Sequence, residues 1–264
     1  MVINIMGIKL IACDVDGTLA DKNGFTDGVA EGIAALLDAG VKVALASGRS
    51  YHSIRSLTQR HPFADELYYI CDDGALSVYR GRVLFRRSLP FETLRRFEAF
   101  YTDLPKVFFA DTFSYVLHAD EEFVSQMTAA GIDEVRRIGR LFDIKDDICK
   151  LGVYQKDAPI KEMQPLPPEL RVCYTSEHLL EYNGRYADKG AALSDLLSRL
   201  FIDTYDAAAM GDGANDTALL KKAKYTYARS TGDEALRRMA GKTFDDPSAV
   251  LAEVLALRQR SVIV

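Results

Sequence analysis

Asp14 and Asp16 stand one residue apart at the end of an apolar run, Ile8 to Ala12, in which only Lys9 is polar; Gly17 and Thr18 follow directly. Two unit charges ~4 Å apart at an effective dielectric near 20 interact by about 4 kcal/mol. Such a pair needs a cation or protons to be tolerated. Three more polar clusters share this character: Ser47-Gly48-Arg49, Asp188-Lys189-Gly190, and Gly211-Asp212-Gly213-Ala214-Asn215-Asp216. Brought together, they would place five aspartates beside one lysine.

Oxygen-only ligands without a local His or Cys select a hard ion such as Mg²⁺. Mg²⁺ keeps several waters and accepts a substrate phosphate oxygen, so an acidic pocket can still receive an anion. Lys189 adds positive charge near a helix start, where free N–H groups also favour anions. Ser47 offers a hydroxyl, and Gly48 lets backbone approach a ligand. This donor set fits phosphoryl transfer, in which most of catalysis is charge stabilisation. Asp14 could attack phosphorus and form an acyl phosphate. Asp16 is placed to protonate the leaving oxygen and then deprotonate the attacking water.

Such convergence requires strands whose carboxyl ends share one edge. The first 80 residues supply them. IKLIACDV, VKVALA and ELYYIC read as strands, separated by FTDGVAEGIAALLDAG and SYHSIRSLTQRH, which read as helices. That alternation predicts right-handed crossovers and a parallel sheet covered on both faces. The texture then changes. ALSVYRG and RVLFRRS read as a hairpin, PKVFFAD and FSYVLHAD as paired strands, and RVCYTSE and HLLEYNG as a final hairpin. Alternation resumes at Asp188. The expectation is an α/β, Rossmann-like doubly wound parallel sheet core from residues 1–83 and 184–264. An inserted α+β cap with antiparallel strands fills 84–183. Gly81 and Gly184 are the expected hinges between them.

"DVDGTLA", "ASGR", "DKG" and "GDGAND" resemble, in order and separation, the four motifs of the haloacid dehalogenase (HAD) superfamily. "LLEYNGRYADKGAAL" is similar to the signature of its Cof-type branch, subclass IIB. The resemblance implies a Mg²⁺-dependent phosphatase of small phosphorylated metabolites, often sugar phosphates. It implies Asp14 as nucleophile and Asp16 as general acid/base. Ser47 and Lys189 would bind the phosphoryl group, with Gly48, Arg49 and Asn215 around it. Asp14, the backbone carbonyl of Asp16 and Asp212 would hold Mg²⁺, with Asp216 in or behind that shell. Two stretches depart from the pattern. Asp73-Gly74-Ala75 stands where Asn-Gly-Ala is common, and a carboxylate cannot donate as an asparagine can. Ala228 to Asp233 carries an arginine and hydroxyls where an apolar–Gly turn is usual.

Hydrophobic residues make up 48% of the 264 and charged residues 27%, which predicts a globular protein with a real core. The net charge of −5 argues against non-specific nucleic-acid binding. No apolar stretch approaches the ~18 residues of a membrane span. MVINIMGIKL lacks the charged start and cleavage site of a secretory leader, so a cytoplasmic protein is expected. Cys13, Cys71, Cys149 and Cys173 form no CxxC pair and read as buried free thiols. The basic run Arg136-Arg137 to Arg140 reads as a solvated face. Phe97, Phe100, Tyr101, Phe108, Phe109 and Phe113 read as cap core. The sequence sets no oligomeric state.

Competing functions separate on the motifs. A phosphomutase of the same superfamily also needs Asp16. A non-catalytic sugar-phosphate sensor would not need the full catalytic set. A cation pump would carry Thr at Asp16 and membrane spans, and a receiver module would lack the insert.

Overall fold

In a computed structural model of the chain, residues 7–111, 113–129, 132, 134–156, 159–176 and 178–260 are described. Residues 1–6, on which the expectation of no secretory leader falls, lie outside them. The chain begins with β1 (Leu10–Asp14), every residue of which is buried. A two-stranded ribbon, β2 (Ala20–Asp21) and β3 (Gly24–Phe25), precedes α1 (Val29–Asp38). Then come β4 (Lys42–Ala46), α2 (Tyr51–Thr58), β5 (Tyr68–Cys71), β6 (Leu76–Tyr79) and β7 (Arg82–Arg86).

The inserted segment holds α3 (Phe91–Phe100), β8 (Lys106–Phe109), β9 (Ser114–Leu117), α4 (Glu121–Ala129) and β10 (Val135–Arg137). It continues through β11 (Lys150–Tyr154), β12 (Leu170–Thr175) and β13 (Leu179–Gly184). The last segment contributes α5 (Lys189–Arg199), β14 (Ala207–Gly211), α6 (Thr217–Leu220) and β15 (Tyr225–Arg229). It closes with α7 (Glu234–Met239), β16 (Lys242–Phe244) and α8 (Pro247–Arg260).

Eight strands form one sheet in the order β16-β15-β14-β1-β4-β5-β6-β7. The first six run parallel. β6 and β7 extend the sheet antiparallel. This is the expected doubly wound α/β architecture with an α+β insertion. β1 shows why it forms. Ile11 and Cys13 pack into one apolar cluster with Val29, Ile33 and Leu251 of α1 and α8. Leu10 and Ala12 point the other way, onto Leu193, Leu196 and Leu219 of α5 and α6. A strand buried on both faces needs a continuous apolar run, and IKLIAC supplies one.

The second sheet has the order β10-β9-β8-β11-β13-β12. It differs from the expected all-antiparallel insert at one edge, because β10 pairs with β9 in parallel. β10 holds Arg136 and Arg137 of the basic run that extends to Arg140, and both arginines are exposed there. Phe97, Tyr101, Phe108 and Phe113 form its core as expected, but Phe100 is 41% exposed.

The first crossing falls elsewhere than the sequence suggests. Arg80 and Gly81 both have positive φ and make the tight turn between β6 and β7 inside the large sheet. Gly81 is therefore not at a crossing. The first crossing is at Ser88, between Arg87 N–H donating to Ala75 O in the large sheet and Leu89 N–H donating to Ile148 O in the small one. The return runs from Gly184 to Asp188, the N-cap of α5.

Candidate active site

Asp14 ends β1 between β14 and β4, so its carboxylate emerges at the centre of the sheet edge. The chain then turns tightly: Thr18, Leu19 and Ala20 all donate their N–H to Val15 O. Gly17 has φ 79°, and a Cβ there would fall on the Asp212 carboxylate. The turn carries Asp16 out to half exposure. Arg49 grips Asp16 with Nη2 at 2.5 Å from Oδ1 and Nε at 2.9 Å from Oδ2. Ser47 Oγ lies 3.4 Å from Asp16 Oδ2 and accepts from Arg49 N–H at 3.1 Å.

Lys189 opens α5, whose N-cap Asp188 accepts the Ala191 N–H at 2.7 Å. Its side chain is only 1% exposed and donates to Asp14 Oδ1 and Asp216 Oδ1, both at 2.6 Å. α5 comes this close because residue 190 is glycine: a Cβ there would fall on the Ala218 carbonyl. Asp216 Oδ2 accepts from the N–H groups of Asp212 and Gly213, each at 3.0 Å. The 228–233 loop braces the same turn, with Asp233 N–H donating to Asp212 O at 2.7 Å. The departure in that loop therefore falls on a backbone support.

Asp14, Asp212 and Asp216 bring carboxylate oxygens within 4.8 Å of one another. One ammonium faces this triad. Asp14 Oδ2 is buried without a hydrogen-bond partner. Burial pushes Asp14 up to about 7, Lys189 pulls it back, and the Asp216 and Asp212 charges raise it further. Burial works against the Lys189 charge, but Asp14 and Asp216 outweigh it and hold the ammonium well above its usual range. The triad is thus short of positive charge, and an orphaned carboxylate oxygen points where a further cation would sit. The donors are all oxygens, which fits a hard divalent ion. Asp16 is not in the triad; its side chain is committed to Arg49.

A cavity of about 440 Å³ opens over this edge. Every sequence-derived candidate except Asp216 lines it, namely Asp14, Asp16, Ser47, Gly48, Arg49, Lys189, Asp212 and Asn215. Asp216 lies fully buried behind Lys189. Asp73 also lines the cavity, 3.4 Å from Asn215 Nδ2, at φ 51°. Asn183 is fully buried and donates to Asp72 O at 2.5 Å, supporting the backbone before Asp73. Phe109, Lys150, Cys173, Tyr174 and Glu181 close the cavity from the small sheet. Sequence reasoning missed Lys150 and Glu181. A lysine between Cys149 and Leu151, in an alternating strand, was the available signal.

The sequence profile of the haloacid dehalogenase-like hydrolases matches residues 11–250, so the chain belongs to that family. Within it the protein is a phosphoric monoester hydrolase. A phosphoglycolate phosphatase of Metallosphaera sedula is 26% identical over 88% of this chain and 90% of its own. A 5-amino-6-(5-phospho-D-ribitylamino)uracil phosphatase of Bacillus subtilis is also 26% identical, over 88% of each chain. Among solved structures, a haloacid dehalogenase-like hydrolase from Bacteroides thetaiotaomicron superimposes with a TM-score of 0.82 at 19% identity, covering 94% of this chain and 99% of its own. A HAD subclass IIB sugar phosphatase gives 0.76 at 18% identity, covering 97% and 100%. No described helix is long and apolar enough to cross a membrane.

Proposed function

We propose that the protein is a cytoplasmic, Mg²⁺-dependent phosphatase of a small phosphorylated metabolite, a sugar phosphate or similar, acting through an aspartyl phosphate. The observation that carries this is Asp14: buried at the sheet edge, facing the cavity, with one oxygen on Lys189 and the other unpartnered. Asp14, Asp212 and the backbone carbonyl of Asp16 would hold the ion, with Asp216 behind. Bound there, the ion supplies charge stabilisation to the phosphoryl oxygens.

The chain's own groups account for the rest. Lys189 and the Ser47–Arg49 turn at the start of α2 hold the phosphoryl group. Asp14 attacks phosphorus as the ester P–O bond breaks, and Asp16 gives its proton to the leaving oxygen. Asp16 then takes a proton from water, whose oxygen attacks phosphorus and releases Asp14. Arg49 keeps Asp16 beside Ser47 in the meantime. The inserted unit, which the large sheet's hold on residues up to Arg87 shortens from 84–183 to the stretch between Ser88 and Gly184, acts as a cap over the core and sets substrate choice.

Phosphate release from p-nitrophenyl phosphate with Mg²⁺, absent with EDTA, tests the reading. An isomerised sugar phosphate without free phosphate would point instead to a phosphomutase. Binding of sugar phosphates with no turnover would point to a sensor.

A further inference from the structure

The two walls of the cavity differ in make-up. One carries the phosphoryl machinery just described. The other is formed by Phe109, Lys150, Tyr174 and Glu181 of the small sheet, with Asp73 at its foot. Lys150 is the cation of this wall among the described residues, and it is already engaged. Its ammonium has three protons. It donates to Gly48 O at 2.8 Å, pairs with Glu181 Oε2 at 3.2 Å, and lies 3.6 Å from Asp72 Oδ1. Its other face is covered by the Phe109 ring, 4.2 Å from the ring centre.

The acceptors, by contrast, have capacity left. Glu181 lines the cavity, is only 8% exposed and meets Lys150 through Oε2, so Oε1 is not used by that pair. Asp73 is 5% exposed, and its hydrogen bond from Asn215 is long at 3.4 Å. Asp73 and Glu181 outnumber Lys150 in charge, and the ammonium is already held by Gly48 O and Glu181 with the Asp72 carboxylate 3.6 Å away. A buried acceptor needs a donor, and a second anion beside it is repelled.

We propose that this wall is a leaving-group subsite in which Glu181 and Asp73 determine specificity, favouring phosphate monoesters whose far end carries hydroxyl or amine donors and rejecting those that end in a carboxylate. The inference rests on the phosphatase reading above. It also gives the Asp73 departure a role: an acceptor stands where an asparagine could have donated.

Sorbitol 6-phosphate and 6-phosphogluconate have the same six-carbon chain and differ at the far end, CH₂OH against COO⁻. Their inhibition constants against hydrolysis of p-nitrophenyl phosphate, with Mg²⁺, read the subsite directly. The wild type is expected to bind the polyol ester at least roughly threefold more tightly, and Glu181→Gln to narrow that ratio. Asp73→Asn provides a second variant, because asparagine tolerates the left-handed backbone there. A wild-type ratio below about threefold, no inhibition by either ester, or a ratio unmoved in both variants overturns the proposal. Absence of p-nitrophenyl phosphate hydrolysis by the wild type would overturn the phosphatase reading itself, and this inference with it.

Discussion

Two buried lysines organise the site, and they differ in what they leave unbalanced. Lys189 faces a carboxylate triad that needs another cation, so Asp14 keeps one oxygen free for chemistry. Asp14→Asn should lower p-nitrophenyl phosphate turnover by about 10⁴-fold or more with an unchanged circular dichroism spectrum, since the nucleophile is lost and the shape is kept. Near-normal turnover would sink the covalent route. Lys189→Met strands Asp14 and Asp216 in the interior and should cost about 3–5 kcal/mol in urea unfolding at neutral pH. Lys150 sits against Asp72, whose two oxygens have no hydrogen-bond partner. Burial pushes Asp72 up to about 7, against the pull of Lys150. Between the ordinary carboxylate range and about 7, the folded state therefore holds a proton that the unfolded chain has released. The group's contribution to stability falls as pH rises through that window and levels off above it. Asp72→Asn should remove that slope, so thermal midpoints of variant and wild type should diverge in the variant's favour from pH 5 to pH 8. Parallel curves would refute this account of Asp72. Asp14, Lys189 and Asp212 were legible because motif spacing ties them to strand and helix ends. Lys150 and Glu181 were not, because only the pairing of β11 and β13 turns them towards the other sheet.

The strand and helix beneath the nucleophile were the most legible elements. IKLIACD can only be a doubly buried strand, and DKGAALSDLL carries its own cap. β10 was illegible, since three residues with two exposed arginines show no alternation; their place is set by Ser114 N–H donating to Glu134 O and by pairing with β9. The turn at Gly81 looked like a hinge because glycine at a turn suits either role. Only the β6–β7 pairing decides it. α5 depends on Gly190, against which the Ala218 carbonyl is seated. Gly190→Ala must push α5 away from α6 and should cost about 1–3 kcal/mol. Because Lys189 moves with it, turnover should fall further than the loss of folded protein explains. A urea midpoint within error of the wild type would refute this contact.

Side-chain bridges join the two sheets. Lys150 reaches Gly48 across the cavity, Arg86 pairs with Asp111 and Asp147, and Arg171 grips the Ala187 carbonyl at the return crossing. Closure of the cavity about Ser88 and residues 185–187 would exclude water from the acyl phosphate. Mg²⁺ with vanadate, a mimic of the phosphoryl group in transfer, should slow hydrogen exchange at the Leu89 and Ala187 amides and reduce the radius of gyration. Unchanged exchange would count against a moving cap. The large sheet also has an order of assembly built into it. β1 is flanked by β4, made shortly after it, and by β14, made only after the entire insertion. While the chain is still on the ribosome, the β1 edge that will receive β14 stays bare and apolar, and Asp14 waits without Lys189, Asp212 or Asp216. A growing chain stalled before Lys189 is therefore inert as a catalyst and sticky as a surface. The small sheet, contiguous in sequence, can fold before that partner arrives.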